Sequence, residues 1–321
     1  KLIDLATLSA RLAPKGFTAN QVLSTYQKMY ENMVLSYPRS EDKKITPEQF
    51  NQMLPLIDQI AAVVGVDTKL LTHRTPRSTH VAEGMSHGAN RPGTTVPASM
   101  GAIESEYGKC GAEIYDILAH NFLAMFAEDY EYEAQSGHVA DYPSFVGSTT
   151  VPVAMGWKSV YDDDADEDTD GSKGLGSTAT PFVFEGFPPK PPTPTMKWLM
   201  AQLAKRNIGT GATRTSTYAD VTNAKSKYPL LVDKRGKITM AQCGEMSYHL
   251  LPGTHIGSLD LTERVWSQMK DVAAGKADPD ALLREVARLV EEDRAIMEKN
   301  GQTMRKELGV SEQNTTYDYV E

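Results

Sequence analysis

Residues 30–42 read YENMVLSYPRSED, in which an apolar stretch is followed by a tyrosine, a proline and an arginine. An amphipathic helix is predicted to end near Leu35, and the proline after Tyr37 disfavours helical geometry at the tyrosine. Tyr37 therefore lies at an abrupt exit from the helix, with Arg39 two residues later. A tyrosine phenolate attacking a phosphodiester needs positive charge at the phosphoryl oxygens, which a guanidinium supplies. Simple packing of an aromatic ring at a helix end remains the alternative, since the chain has 14 tyrosines.

A second unusual motif, SHGANRPG, occupies residues 86–93 within a long predicted loop, 72–98. It places a titratable imidazole, His87, and a guanidinium, Arg91, on a glycine-containing backbone. Long loops inside folded domains are often functional. The spacing does not favour a metal site, because the nearest other histidine, His80, is seven residues away. A surface loop with an incidental histidine is the alternative.

The third motif is KRNIGTGATRTSTYADV, residues 205–221. A glycine- and hydroxyl-rich turn here precedes a helix predicted to begin near Ser216, and free N–H groups at a helix N-terminus favour phosphate. The Gly-Lys-Ser/Thr ending of a nucleotide-binding P-loop is absent. A capped connection between two helices explains the turn equally well.

Charge is segregated along the chain. The net charge of −9 argues against nucleic acid, but residues 197–237 hold nine basic and two acidic side chains. The acidic residues gather elsewhere: nine lie in 101–150, and seven more in 162–170. Solvated surface is the simplest explanation of such a segregation. Residues 1–100 are also slightly basic, with eleven basic and eight acidic side chains. Because these two basic segments contain the three motifs, the charge pattern favours a nucleic-acid partner.

Composition and periodicity predict a mostly helical α+β chain of several domains. A helical domain carrying Tyr37 is expected over 1–138, a short antiparallel β segment over 139–193 with an acidic disordered insertion at 162–177, and a second helical domain over 194–310. A frayed tail, 311–321, follows.

The predicted strands are 144–153, 156–161 and 181–187, and the hairpin 230–233/237–240. The predicted helices are 1–12, 18–32, 47–64, 113–126, 195–206, 261–274 and 279–298.

Other sequence features limit the class of protein. The longest apolar runs are too short for a membrane-spanning helix. The two cysteines, Cys110 and Cys243, are too few for a disulfide scaffold or a four-ligand zinc site and suit a reducing compartment. Because the chain starts at Lys1 with neither methionine nor leader, we expect it to be part of a longer protein.

Taken together, the motifs resemble those of type IA DNA topoisomerases. YENMVLSYPRSED resembles the active-site tyrosine segment of the family, SHGANRPG its His-x-Ala-Ile-x-Pro-Thr loop, and residues 205–221 a segment of its helical DNA-binding domain. Residues 145–161, FVGSTTVPVAMGWKSVY, are similar to the strand-plus-Gly-Trp element of the arch, and 116–126, DILAHNFLAMF, to the helix that closes the tyrosine domain. The resemblance covers most of residues 1–240.

The resemblance implies an ATP-independent enzyme that cleaves and reseals single-stranded DNA, so relaxing negative supercoils or decatenating DNA. Tyr37 would be the nucleophile that joins the 5′ phosphate, and Arg39 would stabilise the phosphoryl transition state. The residues implied to contact DNA are His87, Arg91, Lys205, Arg214, Ser216 and Thr217.

The chain departs from the family in two respects. Asn90 and Gly93 stand where isoleucine and threonine are usual in the histidine loop. Nothing resembles the N-terminal metal-binding domain, so the Mg²⁺ implied for the full-length enzyme is expected to have its site outside this chain, with no cofactor in the chain itself. We therefore expect the chain to bind single-stranded DNA but to need that domain for cleavage, in the cytoplasm of a bacterium and on nucleoid or plasmid DNA.

Three alternatives remain at this stage. One is a non-catalytic single-stranded DNA-binding module that uses the basic residues 197–237. Another is a different tyrosine transesterase, such as a relaxase or recombinase. A relaxase would need a metal held by His73, His80 and His87, which a proline-rich loop would not bring together by default. The last is a purely structural protein, which the charge segregation argues against.

Overall fold

The computed structural model describes residues 2–40, 42–85, 87–161, 174–180, 183, 185–187 and 190–309. The chain divides into two compact units. The first is formed by the residues up to Leu12 together with Gln21–Pro192, and the second by Ala13–Asn20 together with the chain from Thr193 onward. The predicted acidic insertion lies outside the described residues as far as 173, and the predicted tail 311–321 lies outside them completely.

The first unit is built around a long helix. It contains α1 (Leu5–Leu12), all but the first two residues of α2 (Ala19–Glu31), and α3 (Pro47–Met53), α4 (Ile57–Val64) and α5 (Met100–Leu123). The helices α1 and α4 pack against α5. Fully buried aromatic rings fill the interior, and Phe126 lies 5.5 Å from Phe50 and 5.2 Å from Phe122 between ring centroids. Burying such rings is a large part of the stability of a helical domain.

The described residues of 72–98 form only isolated β-bridges and no helix or longer strand, which confirms the predicted long loop. The predicted helix 47–64 is interrupted by a 3₁₀ turn at Leu54–Leu56, where Pro55 lacks an N–H for the helical ladder. The predicted helix 113–126 is longer than expected, because α5 begins at Met100 after the Ser99 cap. Its backbone leaves helical geometry at Gly108.

A two-stranded antiparallel ribbon follows the helices. It consists of β1 (Glu131–Val139) and β2 (Tyr142–Ala154), paired so that Gly137 is opposite Gly147. The β2 strand contains the predicted strand 144–153. The β segment was predicted to start at residue 139, whereas β1 already begins at Glu131. Residues 156–160 form a 3₁₀ turn, so the strand predicted at 156–161 is wrong. A strand was also predicted at 181–187, but the described residues of this range do not form one.

The second unit contains α6 (Met196–Lys205), α7 (Gly211–Val221), the hairpin β3 (Leu231–Lys234) and β4 (Lys237–Met240), α8 (Gln242–Leu250), α9 (Leu259–Ala273) and α10 (Pro279–Leu308). The predicted hairpin is confirmed. The predicted start of α7 near Ser216 is wrong by five residues, since Thr210 and Thr213 form a capping box ahead of it. Both α8 and α9 pack on α10. None of the helices in the described ranges combines the length and apolar character needed to cross a membrane.

Candidate active site at Tyr37

The end of α2 places Tyr37. After Glu31 the chain turns at Met33, which has a positive φ of 58°, and the N–H of Val34 donates to the carbonyl of Met29 at 2.9 Å. A left-handed residue with this bond pattern ends a helix abruptly. The chain then runs extended, and the side chain of Tyr37 is half-buried rather than sealed in the core. The helix therefore ends at Glu31, ahead of the end predicted near Leu35, and Tyr37 lies outside it as predicted.

The histidine loop pairs with the segment that leads to Tyr37. Leu35 and Pro92 form an antiparallel bridge, the N–H of Ser36 donates to the carbonyl of Arg91 at 3.0 Å, and the N–H of Gly93 donates to the carbonyl of Val34 at 2.8 Å. The backbones of two motifs more than fifty residues apart in the sequence thus lie side by side.

This pairing brings His87 onto Tyr37. The ring centroids of the two side chains are 4.6 Å apart with an interplanar angle of 47°, and the ring of Tyr30 meets Tyr37 edge-on at 5.5 Å. His87 is exposed, and within the described chain neither its imidazole nor the phenol of Tyr37 makes a hydrogen bond. The His87 side chain is thus exposed to solvent, and that of Tyr37 is partly exposed.

Asn90, which departs from the family pattern, is a buried link in this site. Its side chain is 1% exposed. The amide nitrogen donates to the carbonyl of Tyr37 at 3.2 Å, and the amide oxygen accepts from the N–H of Leu5 at 3.1 Å. Buried backbone groups need such partners, so the asparagine holds the Tyr37 backbone to the start of α1.

Asp42 and Gln49 hold the backbone of His87 from the opposite side. One carboxylate oxygen of Asp42 accepts from the N–H groups of His87 and Gly88, at 3.0 and 2.8 Å. The amide nitrogen of Gln49 donates to the carbonyl of His87 at 2.9 Å. Sequence reasoning missed the roles of Asn90, Asp42 and Gln49. The capping box of α3, Thr46 with Gln49, was the available signal for one of them.

The two arginines predicted at this site differ in exposure. The side chain of Arg39 is exposed and makes no hydrogen bond or ion pair with another described residue, so its guanidinium is accessible to a phosphate. Arg91 is 7% exposed and donates to the carbonyl of Ala89 at 3.2 Å. Burial lowers the pKa of Arg91 from its ordinary value. The buried position favours a structural role for Arg91 over the DNA contact expected from the sequence.

The predicted DNA-binding residues of the second unit flank one turn. Arg214 donates from Nη1 to the carbonyls of Ile208 and Gly209, at 3.1 and 3.0 Å, so it orders the glycine turn ahead of α7. Ser216 and Thr217 are exposed on α7, and the Ser216 hydroxyl donates to the Thr213 carbonyl at 3.1 Å. Lys205 is exposed at the end of α6.

The three histidines spaced by seven residues do not share a site. The ring of His73 bonds to Glu128 at 2.8 Å, that of His80 bonds to the Thr79 hydroxyl at 2.8 Å, and that of His87 packs on Tyr37. Burial lowers the pKa of His80 to about 4, which leaves its ring neutral at physiological pH. This geometry argues against the relaxase alternative.

The side chains near Tyr37 do not fit the Mg²⁺ that the resemblance implies. Across the described ranges, no three His, Cys, Asp or Glu side chains converge as metal ligands. The acidic run 162–170 lies outside those ranges. Octahedral coordination of Mg²⁺ draws on several oxygen ligands, and one carboxylate oxygen of Asp42 already accepts from the N–H groups of His87 and Gly88.

Known proteins resemble the chain over most of its length. A family model described as DNA topoisomerase matches residues 1–284. DNA topoisomerase 3 of Bacillus licheniformis is 26% identical over 84% of this chain and 41% of its own length. DNA topoisomerase 1 of Methanothermobacter thermautotrophicus is 24% identical over 95% of this chain and 42% of its own. The chain thus spans less than half the length of these relatives.

The fold also matches a solved structure, full-length topoisomerase I from Thermotoga maritima. The TM-score is 0.58 at 16% identity, over 91% of this chain and 49% of the other. The match confirms the fold class expected from the motifs, with helical blocks and small antiparallel strand pairs. The chain belongs to the DNA topoisomerase family, as the type IA motifs around Tyr37 predicted.

Proposed function

We propose that this chain supplies the nucleophile and part of the DNA-binding surface of a type IA topoisomerase, which breaks and reseals one DNA strand through a 5′-phosphotyrosyl intermediate. The observation that carries the proposal is the half-buried phenol of Tyr37, packed at 4.6 Å on the ring of His87 and followed two residues later by the exposed Arg39. A nucleophile in contact with a titratable ring, with an exposed cation two residues further along the chain, suits attack on a phosphodiester.

In the proposed reaction the phenolic oxygen of Tyr37 attacks the phosphorus of the scissile linkage. The new O–P bond forms as the bond from phosphorus to the 3′ oxygen breaks, and the phenolic proton ends on that 3′ oxygen. The reverse transesterification reseals the strand, so the energy of the bond is retained and ATP is not required. Arg39 would stabilise the charge on the phosphoryl oxygens, because a guanidinium donates to two of them at once.

The second unit would hold the strand by its phosphates. Lys205 and Arg214 lie at either end of the turn 206–213, and the hydroxyls of Ser216 and Thr217 are exposed just beyond it. Lysines, arginines, hydroxyls and helix N-termini are common phosphate contacts that carry no sequence information. The proposal therefore includes single-stranded DNA of any sequence as the substrate, bound in the bacterial cytoplasm.

We also propose that Mg²⁺ and its ligands come from a domain that this chain does not contain. Relatives more than twice as long support this proposal. When bound, the ion would help to position the phosphates. Accordingly, the chain alone should bind single-stranded DNA but should not relax supercoiled DNA, and efficient relaxation by the chain alone would contradict this part of the proposal.

The decisive experiment traps the covalent adduct. The chain is mixed with a metal-binding domain of the family supplied in trans, Mg²⁺ and a single-stranded oligonucleotide labelled at its 3′ end, then denatured and run on a gel. Label should travel with the protein for the natural chain and not for Tyr37→Phe. Tyr132→Phe, which alters an exposed phenol on β1, should keep the adduct.

The same variants test the remaining alternative, a DNA-binding module without catalysis. Binding of the oligonucleotide, measured by fluorescence anisotropy, should be nearly equal for the natural chain and Tyr37→Phe. If an adduct forms with Tyr37→Phe, another residue is the nucleophile. If no adduct forms with any variant while binding persists, the non-catalytic module is the better description.

A further inference from the structure

The contact between Tyr37 and His87 depends on groups other than the two rings. The rings touch, but within the described residues neither polar end has a hydrogen bond to hold it. The position of the imidazole is therefore determined by the backbone at residues 87 and 88. The side chains that form hydrogen bonds to this backbone therefore set the distance between the imidazole and the phenol.

Asp42 is the charged group that holds it. One oxygen of its carboxylate accepts hydrogen bonds from two successive N–H groups, those of His87 at 3.0 Å and Gly88 at 2.8 Å. Hydrogen bonds to an ionised acceptor are about twice as strong as those between neutral groups. Asp42 is itself half-buried, and its own N–H donates to the hydroxyl of the buried Ser40 at 3.1 Å.

Asp42 also belongs to the same segment as the nucleophile. It lies five residues after Tyr37, so its two hydrogen bonds join the tyrosine segment directly to the histidine loop. On one side of His87, Gln49 bonds to the carbonyl; beyond Gly88, the N–H of Ala89 donates to the carbonyl of Lys44 at 2.9 Å. Three consecutive peptide groups are thus fixed by the segment 42–49.

We propose that Asp42 is a positioning residue for strand cleavage, which holds His87 against Tyr37 through the peptide N–H groups of residues 87 and 88. It does not contact the scissile phosphate. The effect of Asp42 on cleavage rests on the proposed function, whereas its effect on the contact between the His87 and Tyr37 rings does not. Misplacing a catalytic group by about 1 Å can lower a rate roughly 100-fold.

The geometric part is tested by NMR on the chain with labelled Tyr and His side chains. Nuclear Overhauser effects between the rings of His87 and Tyr37 are expected in the natural chain and in Asp42→Asn, which keeps an acceptor oxygen. They should vanish in Asp42→Ala at an unchanged fold. Asp58→Ala removes a carboxylate that bonds to Arg74 instead, and should leave them intact.

Persistence of the ring contact in Asp42→Ala, or its absence from the natural chain, overturns the proposal. If Asp42→Ala does not fold, Asp42→Ser takes its place with the same expectations, because a serine side chain is too short to reach both N–H groups.

The catalytic part is tested in the adduct assay described above. Asp42→Ala should slow adduct formation by roughly 10- to 100-fold, and Asp42→Asn should restore most of the rate, with the affinity for single-stranded DNA unchanged in both. In a His87→Ala background, Asp42→Ala should have no further effect, because groups that act through one another are not additive. Full additivity overturns the positioning role.

A natural chain that forms no adduct refutes the proposed function and, with it, any effect of Asp42 on cleavage. The ring contact is still decided by NMR in that case, so failure of the function and failure of the positioning remain distinguishable.

Discussion

Gly93 stands where the family pattern has threonine, and the structure gives a steric reason for the glycine. A Cβ at this position would lie 2.0 Å from the carbonyl oxygen of Met33 and 2.7 Å from its carbon, both of them backbone atoms. The two strands meet so closely here that the N–H of Gly93 reaches the carbonyl of Val34 at 2.8 Å. The departure from the pattern thus coincides with a close approach of the histidine loop to the tyrosine segment.

We predict that Gly93→Thr destabilises the chain by about 1–3 kcal/mol, because overpacking against backbone forces the strands apart. Adduct formation should fall as well, since the same strands carry Tyr37 and His87. Urea denaturation followed by circular dichroism measures the stability. The matched control is Gly101→Ala on α5, where the nearest atom is a side-chain oxygen at 3.7 Å and no loss is expected. Equal stability of Gly93→Thr and the natural chain would show that the strands can separate freely.

At the scale of the element, the end of α2 carries strain that glycine would relieve. Met33 adopts φ 58° and is 61% exposed, so its side chain gains little from burial while its backbone is in the left-handed region. Such a conformation costs a non-glycine residue about 1 kcal/mol or more, and glycine is the usual residue at this position of a helix end.

Met33→Gly should therefore raise the free energy of unfolding by about 1 kcal/mol. Gln27→Gly, inside the same helix, should lower it by a similar amount, about 1 kcal/mol, because glycine is unfavourable in a helix interior. The opposite signs of the two changes, read from thermal melts, are the test. A loss of stability in both variants would mean that the Met33 side chain contributes packing that outweighs the backbone strain.

Local signals in the sequence predicted the elements that local physics determines. The hairpin around Lys234-Arg235-Gly236 was predicted because its turn residues suffice to specify it, and Thr46-Pro47 marked the start of α3. The strand expected at 156–161 was wrong because of a tertiary contact. A Cβ on Gly156 would lie 2.1 Å from the Asp129 carbonyl, a close approach that no local pattern reveals.

The site was accessible from the sequence only in part. Pro38 and the spacing of Tyr37 and Arg39 made their segment a candidate, but aromatic packing explained it equally well until the resemblance implied roles for both residues. The contact of His87 with Tyr37 is a pairing across fifty residues, which the sequence analysis did not predict; the resemblance implied only that His87 contacts DNA. Asn90 looked like a departure from the pattern until its partners, the backbones of Leu5 and Tyr37, were known. A buried polar residue can be interpreted only with the groups it satisfies.

At the scale of the whole molecule, pH affects the two units through different groups. Burial lowers the pKa of His80, in the first unit, to about 4 from an ordinary value of 6.5. Burial alone would raise the pKa of Asp4 and Asp293, but hydrogen bonds outweigh it and lower both below 3.8. On Asp4 the donors are Lys43 and Thr7, and on Asp293 they are the backbone N–H groups of His255 and Ile256.

The sign of each contribution follows from linkage. The unfolded chain binds a proton at His80 more readily than the folded chain, so stability is complete above pH 6.5 and declines as the pH falls toward about 4. For Asp4 and Asp293 the loss begins only near pH 3.8 and continues as the pH falls through their lower folded pKa values. The first unit should therefore weaken in mild acid before either carboxylate contributes.

We predict that His80→Gln flattens the dependence of stability on pH between 6.5 and about 4. Urea denaturation at a series of pH values measures this directly, and His138→Gln, which changes an exposed histidine on β1, should leave the slope unchanged. Asp293→Asn should leave that window unaltered and lower stability at neutral pH instead, because an amide oxygen replaces a carboxylate that accepts three hydrogen bonds from residues 255 and 256. If His80→Gln retains the full slope, another group titrates in mild acid, and the burial of His80 does not control the stability of the first unit.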